Sequence, residues 1–362
     1  MLKQAVLLID QRRLTDAVRL AWLRWAVQSA VRHGLEDILI LGIGDDAGGG
    51  ILLADAAAAS AAADCGEVRL ACRSVPSGLG SAGALASARD ELHDVFLVLA
   101  AERLLDFNWL DLAVGGADEA WLARVASPGG GRAGAAAWLM RRAALDRLLA
   151  PTSSLDVLMT ALQTQKLLQE RRYARPCLEI SERTAVDIDD LARRPALFLD
   201  RDGVLNVNHG YVHRPDQVEW IPGAIATVKR FNDAGYYVFV VTNQSGVARG
   251  YYDEAQVRAL HCWMAGEMHA AGAHVDRFEY CPDHPEGSVQ AYRRASERRK
   301  PGPGMLLDCM ARWPVDASRS LLIGDNPSDV AAARAAGIAG HLFEGGDLAA
   351  FARSLSSGAP PA

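Results

Sequence analysis

The second half of the chain alternates short apolar runs with helix-patterned stretches; Asp200 and Thr242 come directly after two of those runs, and Asp325 one glycine after a third. Strands are expected at 195–200, 236–242, 277–281 and 320–323, where Val, Leu, Ile, Phe and Tyr cluster. Helices are expected at about 224–234, 253–271, 305–313 and 328–336, the first and last closed by Gly235 and Gly337. Strand and helix in alternation imply a parallel sheet covered by helices on both faces. The first half repeats the pattern, with strands at 5–9, 37–43, 67–72, 95–100 and 120–126. Its helices fall at 16–33, at about 52–63 and after the loop 76–81, with a glycine-rich turn at 129–131. Polar residues 181–194 then lead to Pro195. The fold class is α/β in two domains, 1–190 and 195–352, each a mostly parallel sheet flanked by helices.

Length allows this, since 362 residues are enough for two ordinary cores. A net charge of −6 gives no general attraction to nucleic acid or an anionic membrane. No segment approaches the roughly 20 apolar residues of a membrane span, and the apolar run after Met1 is too short for a signal peptide. Cys65, Cys72, Cys177, Cys262, Cys281 and Cys309 form no Cys-x-x-Cys pair and read as reduced thiols. A cytoplasmic protein is expected, with no nucleic-acid or membrane partner.

The chemistry concentrates at strand ends, where open α/β sheets keep their reactive groups. Asp200 and Asp202, one residue apart, share a side of the chain. Two carboxylates that close stay ionised only with a cation or a shared proton between them. The pair therefore points to a divalent metal and a carboxylate nucleophile. Thr242-Asn243-Gln244-Ser245-Gly246 supplies a hydroxyl, amides and a turn suited to phosphate oxygens. Arg299-Lys300-Pro301 adds two cations in a loop, and Gly324-Asp325-Asn326-Pro327-Ser328-Asp329 adds acids at another strand end.

These motifs, from about residue 195 to 347, resemble the haloacid dehalogenase superfamily, whose members carry Asp-x-Asp, Ser or Thr, Lys and a terminal Asp. Asp200-Arg201-Asp202-Gly203, Asn208-His209-Gly210-Tyr211, Thr242-Asn243-Gln244-Ser245-Gly246 and Arg299-Lys300-Pro301 look like the capless heptose 1,7-bisphosphate 7-phosphatases, relatives of the histidinol-phosphate phosphatases. The resemblance implies catalysis by Asp200, Asp202, Thr242 and Lys300. Asp200 would be the nucleophile, Asp202 the acid and base, and Thr242 with Lys300 the phosphoryl holders. It implies Mg²⁺ on Asp200, on the backbone carbonyl of Asp202 and on Asp325. Asn208, His209, Gly210, Tyr211, Asn243, Gln244, Ser245, Arg299 and Asn326 would meet the substrate, a small sugar phosphate. Histidinol phosphate or another small phosphomonoester stands as the alternative substrate.

Two departures follow from the same resemblance. The family often holds a structural zinc with four Cys and His ligands, and here Cys281, Asp283, Ser296 and Arg298 stand at those positions. One thiolate cannot close a tetrahedral site, so no structural zinc is expected, and His284 reads as a loop histidine. Asn326 stands where a Lys is common, and Asp329 is expected to support Lys300 or cap the next helix.

The first half resembles sugar-1-phosphate nucleotidyltransferases through Leu79-Gly80-Ser81-Ala82-Gly83-Ala84-Leu85, and more loosely through residues 33–40 and 185–191. After Ile9, however, residues 10–16 offer no glycine to bring backbone amides to phosphate, and Glu102 stands in place of a metal-binding Gly-Asp. The expectation is a degenerate module that mediates interaction, homo-oligomerisation or regulation. A bifunctional transferase–phosphatase is the rival.

Overall fold

The computed structural model describes residues 2–10, 15–44, 68–101, 103–114, 120–125, 135–147, 150–173, 177–179 and 193–356. The expected helix at 52–63, the turn at 129–131, the loop 11–14, Glu102 and the stretch 185–191 lie outside them. The chain divides into two compact units, Met1–Ala192 and Arg193–Ala362.

The strands of the first unit are β1 (Gln4–Asp10), β2 (Asp37–Ile43), β3 (Arg69–Val75), β4 (Val95–Ala100), β5 (Arg103–Leu105), β6 (Ala120–Val125), β7 (Ala135–Arg141), β8 (Leu168–Tyr173) and β9 (Cys177–Glu179). Seven of them form one sheet in the order β3-β2-β1-β4-β7-β6-β8. β7 runs antiparallel to both neighbours, and the other pairs in this sheet are parallel. β1 is covered on both faces, which its unbroken apolar run requires. Ala5, Leu7 and Ile9 pack with Trp22, Leu23 and Ala26 of the helix Asp16–Arg32. Val6 and Leu8 pack on the opposite face with Ala82, Leu85, Leu155 and Leu158.

The glycines of the 79–85 motif sit in the helix Ser81–Ser87 and just before it. A Cβ on Gly80 would lie 2.2 Å from the Ser153 carbonyl oxygen, and one on Gly83 would lie 1.7 Å from that of Pro151. These glycines let the 151–153 backbone press against the helix. Gly83→Ala should therefore destabilise the protein by about 1–3 kcal/mol or more through overpacking. A Tm indistinguishable from wild type in scanning calorimetry would contradict that packing.

The second unit holds β10 (Ala196–Leu199), β11 (Tyr237–Asn243), β12 (Arg277–Cys281), β13 (Leu321–Gly324) and β14 (Ala339–Leu342) in the order β12-β11-β10-β13-β14. All its pairings are parallel. Leu197 and Leu199 face Val228, Phe231, Leu260 and Met264, while Ala196 and Phe198 face Met305, Leu306, Cys309 and Ala332. The chain leaves β10 toward β11 and β12, then returns to place β13 on the other side. That reversal opens a crevice outside the carboxyl ends of the strands. β14 and the helix Leu348–Ser356 extend the unit beyond the expected elements, since the four residues Ala339–Leu342 are half-exposed and carry no apolar run. Among the described residues no helix is long and apolar enough to cross a membrane.

Candidate active site

The crevice at the end of β10, β11 and β13 holds a cavity of about 310 Å³. Asp200, Asp202, Asn208, Gly210, Tyr211, Thr242, Asn243, Gln244, Ser245, Lys300, Asp325 and Asn326 line it, joined by Tyr252 and Ser328. A larger cavity of about 650 Å³ lies beside β12. Arg258, Arg277, Arg294 and Arg298 around it are each paired with a carboxylate, and it holds no group of convergent acids. The chemistry therefore belongs to the smaller cavity.

Asp200 extends β10 by one ladder bond, its backbone N–H donating to Ile323 at 3.0 Å. Its carboxylate meets Lys300 Nζ at 2.8 Å, and the same ammonium meets Asp329 at 2.6 Å and donates to the Val241 carbonyl at 2.9 Å. Carboxylate oxygens of Asp200, Asp325 and Asp329 all lie within 4.8 Å of one another. Burial, with Asp329 and Asp202 nearby, pushes the Asp200 carboxyl well above the usual carboxylate range against the pull of Lys300. Burial also works against charge on Lys300, but Asp200 and Asp329 outweigh it and raise its pKa. Asp325 is raised too, first by burial and then by Asp329.

Three carboxylates thus face one ammonium, and a divalent cation would balance the remainder. Oxygen donors of this kind suit Mg²⁺. Gly203, at φ +92°, makes room for them, because a Cβ there would lie 2.0 Å from Asp325 Oδ2. Asp329 holds Lys300 and caps its own helix, Pro327–Ala335, by accepting from the Asn326 N–H at 3.0 Å.

Asp202 is held by different means. Oδ1 accepts from Asn206 Nδ2 at 3.0 Å and Arg201 Nε at 3.2 Å; Oδ2 accepts from Arg201 Nη2 at 2.7 Å and Gln244 Nε2 at 3.1 Å. The Arg201 guanidinium is fully buried and also donates to the Val212 carbonyl at 2.6 Å, tying the 208–213 loop to the acid. Its Nη1 meets His261 Nε2 at 3.3 Å, and burial lowers that imidazole to about 3 and so keeps it neutral as an acceptor.

The structure redistributes several expected roles. Thr242 lies inside β11, which runs one residue further than the expected strand 236–242. Asn243 uses both ends of its amide on the Lys300 backbone, at 3.1 Å each, and so clamps the loop that delivers the lysine. Gln244 is buried and its amide is committed to Tyr252, Thr242 and Asp202. His209 turns away to Glu219 at 3.0 Å, and Arg299 donates to the Asp283 carbonyl at 3.3 Å; neither lines the cavity. Arg201, Asn206 and Ser328 belong to the sequence motifs but had no role assigned from them, and Tyr252 stood outside every motif.

At the last residue of β12, Cys281 is buried and hydrogen-bonded to Ser296 in the loop that follows. Asp283 pairs with Arg294 at 2.9 Å, and Arg298 pairs with both Glu279 and Asp308. Ion pairs between these side chains hold the segment together.

A HAD-hydrolase-like family model matches residues 297–354. The D-glycero-beta-D-manno-heptose-1,7-bisphosphate 7-phosphatase of Rhodopseudomonas palustris is 55% identical over 163 residues, covering 45% of this chain and 91% of that protein. The crystal structure of D,D-heptose 1,7-bisphosphate phosphatase from B. bronchiseptica, complexed with magnesium and phosphate, is 33% identical and aligns over 46% of this chain and 99% of that one, with a TM-score of 0.41. HddC from Yersinia pseudotuberculosis, complexed with GMP-PN, is 10% identical over 51% of this chain and 96% of that one, with a TM-score of 0.39. On the extent and identity of the match to the Rhodopseudomonas protein, the chain belongs to the haloacid-dehalogenase-like D-glycero-beta-D-manno-heptose-1,7-bisphosphate 7-phosphatase family and is a phosphoric monoester hydrolase.

Proposed function

We propose that this protein removes the 7-phosphate of D-glycero-beta-D-manno-heptose 1,7-bisphosphate in a Mg²⁺-dependent reaction that passes through an aspartyl-phosphate. The observation that carries this reading is the cluster of buried Asp200 and Asp329, both paired with Lys300, beside half-buried Asp325 at the floor of a polar cavity. An Asp200 oxygen attacks phosphorus in line, and the bond from phosphorus to the sugar oxygen breaks as Asp202 delivers a proton to that oxygen. Asp202, now a carboxylate, takes a proton from water. The water oxygen attacks phosphorus, the bond to Asp200 breaks, and inorganic phosphate leaves. The Thr242 hydroxyl and the charge of Lys300 stabilise the phosphoryl oxygens as charge develops on them. Asp200, Asp325 and the backbone carbonyl of Asp202 would hold Mg²⁺. When bound, the ion supplies the positive charge that lets a carboxylate approach a phosphate dianion. Asn208, Gly210, Tyr211, Ser245, Asn326 and Ser328 form the walls that meet the sugar. The first unit has no reaction in this scheme, and its motif glycines Gly80 and Gly83 serve packing.

The test is phosphate release from both anomers of the heptose bisphosphate, histidinol phosphate and simple sugar phosphates, with and without chelator. The beta anomer should be preferred by at least about tenfold, a difference of roughly 1.4 kcal/mol. Chelation should lower the rate by at least about 100-fold and added Mg²⁺ should restore it. Full activity after exhaustive chelation would reject the metal assignment, and equal weak rates across the panel would reject the heptose.

A further inference from the structure

We infer that Tyr252 is a positioning residue of this active site, setting through Gln244 both the aim of Asp202 and the direction of the Thr242 hydroxyl. This rests on the catalytic reading of Asp202 and Thr242 given above. The Tyr252 O–H donates to Gln244 Oε1 at 2.7 Å. That bond and the Asp202 carboxylate together fix which end of the amide faces the cavity: the opposite orientation would point Oε1 at the carboxylate, and the phenol would have to turn from donor to acceptor. With the amide so turned, Nε2 donates to Asp202 Oδ2 at 3.1 Å and to Thr242 Oγ1 at 2.9 Å. Thr242 therefore accepts from Gln244 and keeps its own hydrogen for an acceptor in the cavity. Donors thus run in one direction from the phenol through the amide to the threonine, ending where a phosphoryl oxygen would sit.

The phenol is fixed as firmly as its partners. Tyr252 is buried, and its ring stacks on His213 at 4.7 Å, in the loop that also carries Asn208 and Tyr211. A Cβ on Gly246 would come within 2.2 Å of that ring, so the glycine makes space for it. Burial pushes the phenol up to about 12, which keeps its proton in place through the working pH range.

Tyr252→Phe removes one oxygen and keeps the ring. With the full-length protein, kcat on a sugar phosphate should fall about tenfold with KM within about twofold of wild type, the size expected for one hydrogen bond. On p-nitrophenyl phosphate, whose leaving group needs no proton, the fall should be smaller, because only the Thr242 contact and the water step remain affected. In a Gln244→Leu background the same substitution should cost almost nothing more. An unchanged kcat, equal losses on both substrates, or full additivity with Gln244→Leu would overturn the assignment while leaving the phosphatase reading intact. A wild-type protein that releases no phosphate from either substrate would overturn both.

Discussion

Asp200→Asn should reduce phosphate release by on the order of 10⁴-fold or more, the usual cost of deleting a covalent nucleophile. The amide has the shape of the acid but no anionic oxygen with which to attack phosphorus. The loss should come without unfolding. Lys300 keeps its ion pair with Asp329 and its bond to Val241, and one of the crowded carboxylates is gone. Thermal melting should therefore stay at or above the wild-type midpoint. A direct readout exists for the intermediate, because hydride reduction of an aspartyl-phosphate yields homoserine, which mass spectrometry locates at position 200. Retention of more than a tenth of the activity, or a label on another residue, would remove Asp200 from the role.

Lys300→Met should damage stability as well as turnover. Lys300 is 3% exposed, and its ammonium makes contact with two buried carboxylates and a backbone carbonyl. Removing one partner of a buried charge network leaves the others unpaired, at a cost of about 3–5 kcal/mol. Urea unfolding should show that loss as a lower midpoint with an unchanged slope. Methionine matches the stem of lysine, so the effect reports the charge and not a cavity. A midpoint unmoved by the substitution would mean that Asp200 and Asp329 are balanced by something other than Lys300.

The two variants separate the parts of one cluster. Asp200→Asn removes chemistry and relieves like-charge crowding, whereas Lys300→Met removes the charge that makes the crowding tolerable. Opposite effects on stability from two residues 2.8 Å apart are difficult to obtain from general damage to the fold.

Much of this was legible in one dimension. Helix and strand alternation identified the sheet strands of the second unit to within a residue or two, except β14, because a buried parallel strand must be continuously apolar and a turn must break that run. Asp200, Thr242, Lys300 and Asp325 were legible for the same reason, since each follows or ends such a run or precedes a proline. The helix Leu155–Thr164 falls where helices are expected after the glycine-rich turn, but its bounds were not legible even though Ser154 caps it by accepting from Val157 at 3.4 Å, because the region around it lacks a clean period. His209 and Arg299 were expected at the substrate because they belong to motifs, but adjacency in a motif does not determine where a long side chain turns. Their side chains contact Glu219 and the Asp283 carbonyl instead of lining the cavity.

The sequence by itself determined which strand ends carry the acids and the hydroxyl, and which loop carries the lysine. Chain connectivity and the two-residue period of a strand allow few other placements for them. Tertiary structure alone decided how those groups are charged and aimed. It put three carboxylates around a single ammonium, gave Asp202 to a fully buried Arg201, and turned the Gln244 amide with the Tyr252 phenol. Burial and hydrogen-bond direction depend on neighbours that meet only when the sheet closes, so no local pattern encodes them.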